Sequence, residues 1–322
     1  MKQRIRVALA AGLALAFAAP AALAQAWPTK QIRIVVPYTP GGSSDIIARA
    51  ISQPLSDALK QTVIVENKPG ANGNTGTDFV AKSTPDGYTI LLCDVGALAI
   101  TASVYAKLPF DPVKDLVGLT MLAYSPHLLV VHPSVAANNL KELVAFSQTG
   151  KLDFAVTSLG SAPHLAGIAV EKATGAKWVY IPYKGGSQAI GDTVAGQTQV
   201  LMNGMLATLP FVQSGKLKVL GVSKSTRVPL LPNVPTIAEA GFPGVQGMSW
   251  FAIIAPPGTP RELVARLNDE ANKALATAEI RDRITSLGGT VEGGSPAVLD
   301  TLIRNEIPRW SGLIRERNIT IQ

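Results

Sequence analysis

Cysteine occurs once in the 322 residues, at Cys93, so no internal disulfide can form even in an oxidising space. Cys93 ends the apolar run from Tyr88 and reads as a small buried hydrophobe. Histidine is also scarce, with His127, His132 and His164 only. The first two lie at odd spacing on a predicted strand, which turns them to opposite faces, and no metal-ligand spacing results. Beyond the N-terminal segment no stretch approaches the ~20 apolar residues of a membrane helix. No basic block and no stripe of interleaved aromatics is present, which excludes the usual footprint of nucleic-acid binding. The chain also lacks a Gly-x-Ser-x-Gly turn, and its run Gly70-x-x-Gly73-x-x-Gly76 lacks the Gly-Lys-Ser/Thr end of a phosphate loop.

What is there begins with a leader. Lys2, Arg4 and Arg6 precede an apolar run from Val7 to Ala19, and Ala22-Leu23-Ala24 fits a small-x-small cleavage site, so residues 1–24 read as a secretory signal. Without a twin arginine or a nearby cysteine, export as a free, cleaved protein is the expectation. Removing 24 of 322 residues leaves 298, enough for two domains of ~150 each. Losing three of 29 basic residues leaves 26 against 22 acidic ones, a mild net charge of +4.

The rest alternates strand and helix. Ile34-Val35-Val36 is a short β-branched run of the kind that fills a sheet covered on both faces. Pro37 and Pro40 stop it, Gly41 and Gly42 permit a tight turn, and Ser43 or Ser44 can cap a helix carrying Ile46, Ile47, Ala50, Ile51 and Leu55. Strands over 62–66 and 88–93, with a helix over 77–83 between them, complete a first series. A second follows, with helices over 140–148, 163–174, 188–195 and 206–213 and strands over 152–157, 178–182, 198–202 and 217–223. The run His127 to His132, between Pro126 and Pro133, reads as a crossing between two lobes, and Trp250 to Ala255 as the return. Helices over 262–276, 278–287 and 296–317 then pack back onto the first lobe. The expected class is α/β, with two hinged lobes, each a central mostly parallel sheet flanked by helices. Lobe 1 comprises residues 25–125 plus 251–322, and lobe 2 residues 126–250.

Three βα junctions share one chemistry: Tyr38-Thr39-Pro40-Gly41-Gly42-Ser43, Thr157-Ser158-Leu159-Gly160-Ser161-Ala162-Pro163-His164, and Pro182-Tyr183-Lys184-Gly185-Gly186-Ser187. Facing each other across a cleft, their backbone N–H groups, hydroxyls and two tyrosines would hold a carboxylate without a permanent cation. Ser161 and His164 share a helix start, which keeps a periplasmic serine hydrolase as the rival, although its third catalytic member is unassigned. His164 fits a packed, capping or ligand-donating histidine better than a general base. Asp192, in the helix after Tyr183, either accepts a ligand amine or is a solvated helical charge.

Five motifs carry a family resemblance: Val36 to Asp45, Glu66 to Gly76, Pro85-Asp86-Gly87-Tyr88-Thr89-Ile90, Gly160 to Leu165, and Pro182 to Gly186. With them the whole mature chain resembles extracytoplasmic solute receptors of the Bug type, the substrate-binding components related to tripartite tricarboxylate transporters. The resemblance implies a type II periplasmic binding protein, monomeric and non-catalytic, with no metal or cofactor. It implies capture of one small carboxylated solute, a dicarboxylate, amino acid or aromatic acid, for an inner-membrane tripartite transporter or a sensor protein. Carried over by position, Thr157, Ser158, Ser161, Ala162, Tyr183 and Gly186 would clamp a carboxylate, with His164 beside them. Tyr38, Thr39, Pro40, Gly41, Gly42 and Ser43 would close over it, in part through ordered waters, and Asp192 would meet an ammonium group in amino-acid binders. One departure is Asp94-Val95-Gly96-Ala97-Leu98, more apolar than the polar loop of many relatives, which leaves a partly apolar or aromatic acid as open as a dicarboxylate.

Overall fold

The computed structural model describes residues 27–105, 107–243, 245 and 247–316. The expected leader, residues 1–24, lies outside them. No helix among the described residues is long and apolar enough to cross a membrane.

Among the described residues ten strands form one sheet: eight lie along the path β2-β1-β3-β9-β4-β7-β5-β6, and β8 and the short β10 (Thr290–Val291) lie off it, each paired to β4. Strands β1 (Ile32–Val36), β2 (Val63–Asn67) and β3 (Thr89–Asp94) are parallel, in register Ile34 to Val65 and Ile34 to Ile90. Strands β5 (Asp153–Val156), β6 (Val179–Pro182) and β7 (Val200–Gly204) form a second parallel set. Between the sets runs β4 (Val117–Val131), a strand of 15 residues. Its first part pairs antiparallel with β9 (Met248–Ala255), and its last part with β7 and β8 (Lys218–Val222). The parallel order therefore holds within each set, and the strands that join them are antiparallel to their neighbours.

Each half of the sheet is covered on both faces. Helix α1 (Ser43–Leu59) buries Ile47, Ile51 and Leu55 at four-residue steps against one face of the first half, where α8 (Arg261–Ala276) and α9 (Ala278–Thr285) contribute Leu267, Leu275, Ile280 and Ile284. The opposite face packs Leu91, Cys93 and Ile254 under Leu299, Ile303 and Trp310 of α10 (Pro296–Glu316). In the second half, α4 (Leu140–Thr149) and α5 (Ala162–Thr174) cover one face. Helices α6 (Gly186–Val194) and α7 (Met205–Gln213) cover the other. Cys93 is fully buried, a packed hydrophobe.

Two stretches differ from the sequence reading. The crossing strand starts at Val117, well before the apolar run at His127, because Val117 to Tyr124 is sandwiched in the sheet against β9 and needs no alternation of polar and apolar residues. After β3 the chain coils into a π-helical turn, Gly96–Ile100, then α3 (Thr101–Val104), with Gly96 to Ile100 wholly buried. Its apolar character is that of core, where a polar loop would have been exposed.

Candidate functional site

Four helices begin at the same place. Helices α1, α6 and α7 start at Gly42, Gly185 and Gly204, none of which supplies a side-chain cap, and α5 starts at Ser161. A glycine cap leaves the first-turn N–H groups without a local acceptor. Gly42, Ser43, Ser44, Ser161, Pro163, Gly186 and Gly204 all line one small cavity between the two halves. Tyr38, Asp94, Thr157, Asn203, Ser249 and Phe251 complete its wall, which contains no Lys, Arg or His. The positive ends of several helix dipoles thus converge where no cationic side chain is present, a setting that favours an anion.

The first jaw is held in shape by Asp45. Its Oδ2 accepts from the Gly41 N–H and from Arg49 Nε, each at 2.9 Å, and its Oδ1 accepts from Asn67 Nδ2 at 2.9 Å. The same Asn67 amide donates to the Tyr38 carbonyl at 3.0 Å. Helix α1 and strand β2 are thereby tied to both ends of the turn. The Tyr38 phenol points away from this tie and donates to Asp94 Oδ1 at 2.7 Å. Burial, then the neighbouring Asp94, holds that phenol well above the usual tyrosine range, so it stays protonated.

The second jaw is built on Asn203. Thr157 Oγ1 donates to its Oδ1 at 3.0 Å, and its Nδ2 donates to Thr208 Oγ1 at 3.2 Å. A Cβ at Gly186 would lie 2.7 Å from Asn203 Oδ1, so only glycine lets α6 begin this close. Ser161 accepts from the His164 N–H at 3.3 Å and donates to the Ser158 carbonyl at 2.8 Å. Nδ1 of His164 accepts from the Gly160 N–H at 3.0 Å, and the ring meets Tyr180 edge-on. Burial pushes its pKa down to about 4, so the ring is neutral.

The jaws touch directly. Thr39 Oγ1 and Ser187 Oγ share a hydrogen bond of 2.9 Å, and Asn72 Nδ2 donates to the Gly160 carbonyl at 3.1 Å. A Cβ at Gly185 would fall 2.0 Å from Thr39 Oγ1 and 2.8 Å from Thr39 N. Asn72 reaches across from a left-handed backbone, with Ala71 at φ 46° and Asn72 at φ 53°. Two successive non-glycine residues in that region are uncommon and cost energy. The strained turn is what aims the Asn72 amide at the opposite jaw.

Of the residues expected at the site, Tyr38, Gly42, Ser43, Thr157, Ser161 and Gly186 line the cavity. Thr39 lies on the seam between the jaws, and Pro40 and Gly41 are exposed at its rim. Ser158 serves as an acceptor for the Ser161 turn, Ala162 is packed in the core, and His164 sits behind the loop. Tyr183 donates its hydroxyl to Asp192 at 2.7 Å, and neither residue lines the cavity. Burial, then that bond, pushes the Tyr183 phenol up to about 12. The hydrolase rival is corrected here: the Ser161 hydroxyl is bonded to the Ser158 carbonyl and the His164 backbone, and the His164 ring is engaged by Gly160 and Tyr180, so nucleophile and base are not paired. Among the described residues no group of three or more His, Cys, Asp or Glu is placed to hold a metal.

Sequence reasoning did not assign Asn203, Ser249 or Phe251 to the site, and it met Asp94 only as the first residue of the apolar stretch 94–98. Asp94 ends β3 and Asn203 is next to last in β7, the one signal that could have flagged them, since ligands gather at the carboxyl ends of such strands. A larger, open depression beside β1, β2 and α2 (Asn74–Ala81), lined by Arg33, Phe79 and Lys82, contains none of the three loops.

Known proteins resemble this chain in sequence and in fold. A model of the tripartite tricarboxylate transporter family receptor matches residues 47–319. A protein from the tcbD-tcbE intergenic region of Pseudomonas sp. (strain P51) is 38% identical over 312 residues, spanning 95% of this chain and 93% of its own. The protein BugT of Bordetella pertussis is 37% identical over 91% of both chains. Among solved structures, periplasmic binding protein BugD superposes with TM-score 0.89 at 31% identity, covering 92% of this chain and all, 100%, of BugD. A Rhodopseudomonas palustris protein with adipate gives 0.88 at 33% identity (91% and 99% covered). MatC of the same organism, with bound malate, gives 0.86 at 30% identity (89% and 100% covered). The two-lobed α/β fold is that of periplasmic binding proteins, and these relatives are binding proteins, not enzymes. By sequence along most of its length and by fold, the chain belongs to the tripartite tricarboxylate transporter family of solute receptors.

Proposed function

We propose that this receptor captures a small carboxylate in the cavity between its lobes and presents it, as a single chain, to a membrane tripartite transporter. The observation that carries the reading is the convergence of four helix N-termini on a cavity without a cationic side chain. The carboxylate would take N–H groups at the starts of α1, α6 and α7, with Thr157 and Ser161 in the wall beside it. Tyr38, Gly42 and Ser43 close from the first lobe, and Gly186 and Asn203 from the second. Thr39, Pro40, Gly41, Ser158, Ala162, His164, Tyr183 and Asp192 shape or flank the clamp. The lobes are taken as residues 25–125 plus 251–322 and 126–250, and residues 1–24 as a leader removed on export to the periplasm. Fold relatives with adipate and with malate support a short aliphatic acid as the starting point for ligand search.

Contact with both lobes only in the closed state would couple binding to closure. A thermal-shift screen across carboxylic acids tests the reading. A ligand at 100 times its dissociation constant adds about 2.7 kcal/mol of stability and gives a clear rise in melting temperature. No response to any carboxylate in a broad panel would defeat the proposal.

A further inference from the structure

Strand β9 contributes one hydroxyl to the cavity wall, that of Ser249, which is 4% exposed. Its Oγ lies 3.0 Å from His127 Nε2 and bonds to no other described residue. His127 is wholly buried, at the point where β4 leaves its ladder with β9 and enters its ladder with β7. It stands behind Ser249 and does not itself line the cavity. Its backbone is pinned there: the N–H donates to Ser223 Oγ at 2.8 Å, the carbonyl accepts from the Ser223 N–H at 3.0 Å, and Ser223 Oγ donates in turn to the Gly247 carbonyl.

The second ring nitrogen decides what Ser249 can do. His127 Nδ1 is buried and has no hydrogen-bond partner among the described residues. It faces the Gly247 backbone, where an added Cβ would come within 3.8 Å of it. Burial keeps the ring neutral, so it carries a single N–H. Protonation at Nδ1 would bury an N–H with no acceptor, whereas protonation at Nε2 leaves only a lone pair unpaired, the commoner deficit in folded proteins. The proton therefore belongs on Nε2, and Ser249 Oγ is its acceptor. The opposite tautomer would draw the Ser249 hydrogen back toward the ring and turn oxygen lone pairs on a bound anion.

We infer that His127 is a positioning residue: its Nε2–H donates to Ser249 Oγ and so commits the Ser249 hydroxyl hydrogen to the cavity, where a ligand carboxylate oxygen accepts it. The inference rests on the carboxylate-receptor reading and adds to the helix N-termini a donor from the strands that cross between the lobes. Each bond in such a chain polarises the next, so the serine is a better donor than it would be alone.

Two measurements test this. Nitrogen NMR of the native protein labelled at histidine should show a protonated Nε2 and a bare Nδ1 at His127; the reverse pattern overturns the inference and needs no variant to fold. Calorimetry then uses the tightest binder among malate, succinate and adipate as the probe. Ser249→Ala should weaken its binding about tenfold or more, the loss expected for a hydrogen bond to a charged group. His127→Leu should weaken it about three- to tenfold, and His127→Gln, which keeps an N–H donor near the Nε2 position, should recover most of that loss. In a Ser249→Ala background His127→Leu should cost no further affinity, since nothing remains for it to position. Native affinity in Ser249→Ala, or an equal loss from His127→Leu in both backgrounds, overturns the inference while leaving the receptor reading intact. Failure of every carboxylate to bind the native protein defeats the receptor reading itself.

Discussion

Asn72 and Gly160, 88 positions apart in the chain, are joined across the cleft by a 3.1 Å hydrogen bond from the amide of one to the carbonyl of the other. The Gly160 peptide is fixed on its other side by His164 Nδ1, which accepts its N–H at 3.0 Å. The latch is therefore a chain of three residues whose Asn72 link, like the Thr39–Ser187 bond, crosses between the jaws.

Removing that link should weaken binding more than folding. A single net hydrogen bond contributes about 0.5–1.5 kcal/mol, so Asn72→Gly should raise the dissociation constant roughly three- to tenfold by calorimetry. Glycine accepts the φ of 53° freely, whereas Asn72→Ala should lose the same affinity and about 1 kcal/mol of stability besides. Unchanged affinity in both variants would remove Asn72 from the closure mechanism.

Gly185 offers a purer test of closure. Its φ of 169° is extended backbone open to any residue, so alanine costs no strain there. The added Cβ would meet Thr39 Oγ1 at 2.0 Å and Thr39 N at 2.8 Å, atoms of the opposite jaw. Gly185→Ala should weaken binding by about tenfold or more while the melting temperature without ligand stays within about 1 °C. A drop in melting temperature with affinity preserved would show that the contact is structural.

Asp45→Ala should damage both properties. The carboxylate is 3% exposed and receives Gly41, Arg49 and Asn67, so its loss frees the turn that carries Tyr38 to Ser43. Urea unfolding should report a loss of about 2–3 kcal/mol, with weaker binding alongside. A stability change below about 0.5 kcal/mol would contradict the assigned role.

Acid should weaken the fold through two histidines. His127, which meets Ser249 Oγ at 3.0 Å, and His164 are both pushed down to about 4 by burial, against an ordinary value near 6.5. Between those values the unfolded chain binds a proton that the native chain does not, so stability is full above pH 6.5 and declines as pH falls toward 4. Each histidine contributes a slope of about 1.4 kcal/mol per pH unit across that window. Urea midpoints measured from pH 7 to pH 4 should fall accordingly, and His164→Gln should flatten the slope by about one proton. A flat profile across the window would mean that neither ring is buried neutral.

Much of this was legible in the sequence because strand-turn-helix junctions announce themselves. Gly42, Ser161 and Gly186 stand out in their loops, and all three reach the cavity wall. What stayed hidden depends on three-dimensional proximity. Asp94 follows an apolar strand and precedes an apolar turn, and nothing local says that Tyr38 will find it. Asn203 sits in Met202-Asn203-Gly204, a strand end with no distinctive pattern, yet both Thr157 and Gly186 are built around it. Tyr183 and Asp192 mislead in the other sense: their spacing lets them bond to each other, which uses up the groups that look free in the sequence.

The strand β4 has one more consequence. It contributes Val117 to Pro126 to the ladder with β9 and His127 to Val131 to the ladders with β7 and β8, so neither half-sheet can release it without the other losing its central member. The two lobes should therefore melt in a single calorimetric transition, although the chain is long enough for two. Backbone cleavage between Ser125 and Pro126 would not yield two stable pieces.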